Sequence, residues 1–213
     1  MYKSEYHQIK FNNHNVIFIS NNHDILPRNI NEILNIIYNN INSKILLEFG
    51  ENINPKELMD PLLNLIFEKF PDNSIPSDIR IKYLGFDNQY LLYHSDLKDL
   101  TFEEIVKYYI KPFMENIEDF NISNIETPFQ KWLKEEAFFQ ILSNFDFLII
   151  NNEKISKIEI IEILRNTWMQ IMDYCILKEV SKITNQNYIV VLGFYHYNNI
   201  VKNIFKYENT VIY

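Results

Sequence analysis

Tyr188-Ile189-Val190-Val191-Leu192-Gly193-Phe194-Tyr195-His196 is the stretch whose reading decides the fold. A short uncharged run closes on glycine, two residues and a histidine, and the pattern that follows, from about Asn198 to Phe205, is helical. A histidine in that position stands past the carboxyl end of a strand, where open α/β sheets gather their ligands. Near the start of the chain, Ile19-Ser20-Asn21-Asn22-His23 repeats the arrangement, with serine in place of glycine.

Between the two, the sequence supplies a βαβ unit. Ile30, Ile33, Leu34, Ile37 and Ile41 follow the i, i+3, i+4, i+7 series of an amphipathic helix. Lys44 to Phe49 is a nearly continuous apolar run of the kind buried on both faces of a parallel sheet. A right-handed crossover makes the strands before and after the helix parallel, so His23 and Glu48 are expected at one edge of the sheet. Tyr6 to Phe11 and Asn15 to Ser20 read as a hairpin around Asn12 to Asn15, with His14 in the loop.

After Gly50, Asn54 followed by Pro55 reads as a cap and first residue of a helix running to about Phe70, with Pro61 kinking it. Pro71 to Pro76 reads as a loop. Arg80 to Phe86 is the next expected strand, with Asp87 just past its carboxyl end and Arg80 on the surface. Thr101 with Glu104 forms a capping box that opens a helix to about Ile117. Thr127-Pro128 opens another, which carries Trp132, Phe138 and Phe139. Ile155 to Ile183 is a long helical pattern with Trp168, Met169, Met172 and Cys175. These aromatic and Met stripes recur at helical spacing and read as core. Thr210 to Tyr213 is expected to add a closing strand.

The fold class that emerges is α/β: a central, mostly parallel sheet flanked by helices, with a helix-rich insertion in the middle of the chain. No repeat or Gly/Pro/Ser-rich linker divides the sequence. Residues 1–213 are therefore expected to form a single domain, with the insertion at about 97–184.

Composition narrows the function classes. A net charge of -8, with no Lys/Arg cluster, gives no footprint for a phosphate backbone and argues against nucleic acid as a partner. One cysteine, Cys175, excludes an internal disulfide and a thiolate metal site, and its setting suits a small core residue. No apolar run reaches the length of a membrane span, and the amino terminus lacks a signal-like core, so a soluble cytoplasmic protein is expected. The aromatic-rich helices could supply an oligomer interface.

Four strand ends thus offer His23, Glu48, His196 and Asp87. Two histidines and a carboxylate are a common ligand set for a catalytic divalent ion such as Zn, Mn or Co, whose bound water has a pKa of roughly 7. Without metal, a histidine with an acid partner is the usual general base toward water. Glu48 is the most telling of the set, because a carboxylate closing so apolar a strand is costly unless paired or bound. His94 follows an apolar run without a partner at a recognisable spacing.

The order Ser20-Asn21-Asn22-His23, Leu46-Leu47-Glu48, Gly85-Phe86-Asp87-Asn88-Gln89, Gly193-Phe194-Tyr195-His196 resembles the superfamily that joins TraB and Tiki proteins with erythromycin esterases and the haem-binding ChaN proteins. The resemblance implies a hydrolase acting on an ester, amide or peptide bond of a small-molecule or peptide substrate. In Tiki-like members it implies His23, Glu48 and His196 as a metal-dependent peptidase centre. In the esterase-like branch, which the Gly85–Gln89 segment resembles more closely, it implies a histidine and a glutamate activating water without metal. The alternative class is a non-catalytic small-molecule or haem binder, or a degenerate enzyme serving as an interaction module.

Overall fold

The structure is a computed structural model that describes residues 2–11, 13–50, 60–92 and 95–211. The elements are strands β1 (Tyr6–Phe11), β2 (His14–Asn21), β3 (Lys44–Gly50), β4 (Ser74–Asp78) and β5 (Tyr188–Gly193). The helices are α1 (Ile30–Asn39), α2 (Pro61–Lys69), α3 (Arg80–Leu91), α4 (Phe102–Ile105), α5 (Lys111–Glu115), α6 (Ile117–Phe120), α7 (Pro128–Trp132), α8 (Phe139–Asn151), α9 (Lys157–Val180) and α10 (Phe194–Val211). Wider turns at Val106–Ile110 and Leu133–Phe138 join α4 to α5 and α7 to α8. Among the described residues, no helix is long and apolar enough to cross a membrane.

The fold is α/β, with a five-stranded sheet in the order β1-β2-β5-β3-β4. Only the β1–β2 pair is antiparallel; β5 lies parallel to β2 on one side and to β3 on the other, and β3 lies parallel to β4. The last strand in sequence therefore occupies the centre. All six of its residues are buried, as an uncharged run between two parallel neighbours requires.

The chain divides into two compact units, Met1–Asp78 with Glu179–Tyr213, and Ile79–Lys178. The first holds the whole sheet. On one face, Ile17, Ile19, Ile45, Leu47, Ile189 and Val191 pack with Ile33 and Ile37 of α1 and with Leu62, Leu63 and Ile66 of α2. Complete burial of such a side chain stabilises the fold by about 1.5–3 kcal/mol. Helix α10 packs on β2 and β5.

The second unit is helical. Phe113 lies against Phe120, Phe145 and Trp168, and the Trp168 indole N–H donates to the Tyr109 carbonyl at 3.2 Å. Trp132, Phe138, Trp168 and Met172 are thus buried, as expected, whereas Phe139 is exposed and Met169 is only partly buried. The capping box at Thr101 is complete, and the Thr127 side chain accepts from the Gln130 N–H. Cys175 is half-buried, and burial pushes its thiol up to about 12.

Several expected elements differ. His14 belongs to β2, paired with Phe11, and is buried, its Nε2 2.8 Å from the Val180 carbonyl. Residues 54 and 55 lie outside the described residues. Pro61 does not kink a helix but begins one, with Asp60 as its cap. Ser74–Asp78 is a strand where a loop is expected: Pro76 hides it, since proline is tolerated on a sheet edge, and β4 is an edge strand.

Arg80–Phe86 is helix rather than strand. The stretch is a short run with Ile81, Tyr83, Leu84 and Phe86 as its apolar members, and such runs do not separate helix from strand. Arg80 is buried, with its guanidinium against the Met169 sulfur at 3.4 Å. At the far end of the chain, α10 begins directly after β5 and continues to Val211, where a closing strand is expected. His94 lies outside the described residues.

Ile19 is fully buried on β2 against the central strand. Ile19→Ala is expected to lower the free energy of unfolding by about 2–5 kcal/mol, read from urea denaturation.

Candidate functional site

The site gathers at the carboxyl ends of β2, β5 and β3, because β5 stands between the other two and its register sets Asn21 beside Gly193. Glu48 comes from β3, Asn21 and His23 from the end of β2, His196 from the first turn of α10, and Asp60 from the start of α2. Three of the residues expected from the sequence, His23, Glu48 and His196, are brought together.

His23 Nε2 lies 3.9 Å from Glu48 Oε2, and His196 Nε2 lies 3.6 Å from Glu48 Oε1. Glu48 Oε2 also accepts the Gly193 N–H in a very short hydrogen bond. The buried carboxylate is thereby held from both oxygens, as its apolar strand demands.

The two histidines are not equivalent. The side chain of His23 is half exposed, at 50%, whereas that of His196 is enclosed, at 3%. His196 does not face an open crevice; it backs Glu48. Only His23 can meet a ligand from solvent.

Asp60 is the residue of this cluster that the sequence reading misses. Its Oδ1 accepts the Leu62 and Leu63 N–H groups at 3.1 and 2.9 Å, which caps α2. Its Oδ2 lies 2.6 Å from His23 Nδ1 and 2.7 Å from Asn21 Nδ2. An ionised carboxylate only accepts hydrogen bonds, so the His23 Nδ1 carries the proton and its Nε2 keeps the lone pair. The signal for Asp60 is present in the sequence: Asp60-Pro61 is an N-cap followed by proline at the first helical position, the same signature read at Asn54-Pro55.

Gly193 earns its place through space rather than through a turn. Its backbone has no positive φ, and Gly85 alone among the described residues does. A Cβ at Gly193 would collide with His23 Nε2 and lie 3.1 Å from Glu48 Oε2. Ser20, in the position that matches glycine in the second motif, turns to other work: its Oγ accepts the Glu5 N–H at 2.7 Å. Asp87 is not at a strand end; it is exposed on α3, in the helical unit.

Among the described residues, no group of three or more His, Cys, Asp or Glu side chains is placed to hold an ion. The two histidines address different oxygens of Glu48, and Asp60 holds His23 from its other nitrogen.

The hydrogen bond to Asp60 raises the pKa of His23 above 6.5, against the opposing effect of partial burial, with Glu48, Asp60 and Asp24 adding to the rise. The neutral ring can act as a base: it is half exposed, its Nδ1 is held by Asp60, and its Nε2 stands beside Glu48 and Gly193. No protein-family model matches the chain, and no curated protein or solved structure matches it either.

Two outcomes follow. His23 is most strongly held when protonated, so its contribution to stability is complete below pH 6.5 and is lost as the pH rises through the higher folded value. The stability gap between the natural chain and His23→Ala, measured by urea unfolding, is expected to be widest in acid and to shrink above neutrality. Gly193→Ala is expected to displace His23 and cost about 1–3 kcal/mol, with the His23 imidazole titration moving in an NMR experiment.

Proposed function

We propose that the chain is a hydrolase that cleaves a carboxylic ester or amide with water, using His23 as general base. The observation that carries this reading is the 2.6 Å hydrogen bond between Asp60 and His23 Nδ1, on a half-exposed ring whose opposite nitrogen stands beside Glu48. In the proposed step, water attacks the carbonyl carbon while His23 Nε2 takes its proton. The imidazolium then gives that proton to the departing alkoxide or amine, and the carbonyl re-forms as the bond to the leaving group breaks. Asp60 stays ionised throughout and holds the ring. Glu48, 3.9 Å away, stabilises the imidazolium, and His196 steadies Glu48.

Water is the nucleophile that the remaining groups favour. The Ser20 hydroxyl is engaged by the Glu5 N–H, and the Cys175 thiol, at about 12, is no thiolate at neutral pH. The resemblance in motif order at Ser20–His23, Leu46–Glu48 and Gly193–His196 supports water chemistry at these residues.

The surroundings suggest the substrate. Ile25 and Leu26 follow His23 in the loop, and Phe194 and Tyr195 follow Gly193; all four are exposed, at 45–57%. His23 sits against Gly193, so the two segments that carry these apolar side chains adjoin the base. A substrate with an uncharged, apolar acyl group fits that rim, whereas a carboxylate next to the carbonyl would face Glu48 and Asp60.

The test is hydrolysis of p-nitrophenyl acetate, butyrate and octanoate, with the corresponding anilides as amides. The kcat/KM is expected to rise with acyl length. His23→Ala is expected to lower kcat by roughly 100 to 10,000-fold. Asp60→Asn is expected to lower the rate and to move the pH inflection downward, because the charge that raises the His23 pKa is gone. Turnover no faster than that of His23→Ala on every substrate would end the hydrolase reading. Added Zn, Mn or Co is expected to leave rate and melting temperature unchanged. A rise of more than about 3 °C at saturating metal would instead support a metal centre on His23, Glu48 and His196.

A further inference from the structure

Ile17, Ile19 and Asn21 alternate onto one face of β2, and the first two lie in the core between the sheet and helices α1 and α2. Asn21 continues that face and is just as buried, at 1% exposure. An apolar side chain is the ordinary occupant of such a position. The amide there is only half satisfied: Nδ2 donates to Asp60 Oδ2 at 2.7 Å, whereas Oδ1 is enclosed with no hydrogen-bond partner among the described residues.

The orientation cannot be reversed to relieve the oxygen, because Oδ1 would then face a carboxylate that offers no proton. An enclosed, unpaired carbonyl is destabilising. The fold thus carries a polar group at a core position where a hydrocarbon would avoid that penalty. What the amide does there is fix one oxygen of Asp60, the same oxygen that receives the His23 Nδ1–H.

We infer that Asn21 is a positioning residue of the His23 base: its amide holds Asp60 Oδ2 in line with the imidazole and draws off part of the carboxylate's charge. The inference rests on the reading of His23 as the working base, but its test does not use catalysis. With Asn21 in place, Asp60 shares its charge among four N–H donors, two from α2, one from Asn21 and one from His23. Without it, the charge falls more fully on His23.

The experiment is NMR titration of the His23 imidazole in the natural chain, in Asn21→Leu, in Asp60→Asn and in the double variant, with urea unfolding of each. Asn21→Leu is expected to keep or raise stability while the His23 midpoint rises by roughly 0.3–1 pH unit, about two- to tenfold in proton affinity. In the Asp60→Asn background, the same substitution is expected to leave the midpoint where it is. A midpoint that Asn21→Leu does not move, or that moves equally without the Asp60 carboxylate, overturns the inference. If the leucine variant does not fold, Asn21→Val, with its smaller side chain, is read by the same two comparisons. Esterase assays of the four proteins then separate the two readings: a coupled titration with no hydrolysis leaves the Asn21–Asp60–His23 arrangement standing and removes the hydrolase.

Discussion

The site depends on one constraint, the insertion of β5 between β2 and β3 with glycine at its carboxyl end. The insertion brings the ends of the flanking strands toward a common point, and the missing Cβ of Gly193 leaves room there for the His23 ring. The same residue's N–H holds Glu48. A larger residue at this position would push apart the imidazole and the carboxylate whose proximity defines the site. Position in the sheet and absence of a side chain thus act together, and neither would suffice alone.

The electrostatic design repeats one device. Asp60 receives the N–H groups of Leu62 and Leu63 at the start of α2, and Glu48 receives the Gly193 N–H immediately before α10. Unpaired N–H groups and the positive end of the dipole make a helix start a favourable place for a carboxylate. Two acids can therefore remain close together beneath a histidine without an external cation for each. The histidines divide the labour that follows: the enclosed His196 steadies Glu48, and the half-exposed His23 is left to exchange protons with solvent.

Much of this is legible in the sequence. The apolar run Ile45–Leu47, the uncharged run Tyr188–Gly193, and the spacing of Ile30, Ile33 and Ile37 give the central strands and α1 because burial on both faces, or on one stripe, writes a simple pattern. His23, Glu48 and His196 follow from that pattern as strand ends. The failures have a common physical source. Strand β4 owes its place to one neighbour and to the Ser77 hydroxyl on the Leu47 carbonyl at 2.8 Å, and so needs no apolar run. Helix α3 carries a weak stripe and a glycine at φ 73°, which blurs its period into that of a strand, and with it goes the expected position of Asp87. Asp60 is visible as a cap; what no local pattern reveals is that the free oxygen of a cap can serve a histidine 37 residues earlier.

The central place of β5 also has a consequence in time. The bond from Gly193 to Glu48 joins positions 145 residues apart, and contacts so distant form only after a large loss of chain entropy. Until Tyr188–Gly193 arrives, β2 and β3 each present a bare edge of unpaired backbone, the kind of surface that invites wrong pairing. His23 and Glu48 have nothing to bring them together before then. A half-folded chain without β5 in place therefore holds the residues of the site without the site itself.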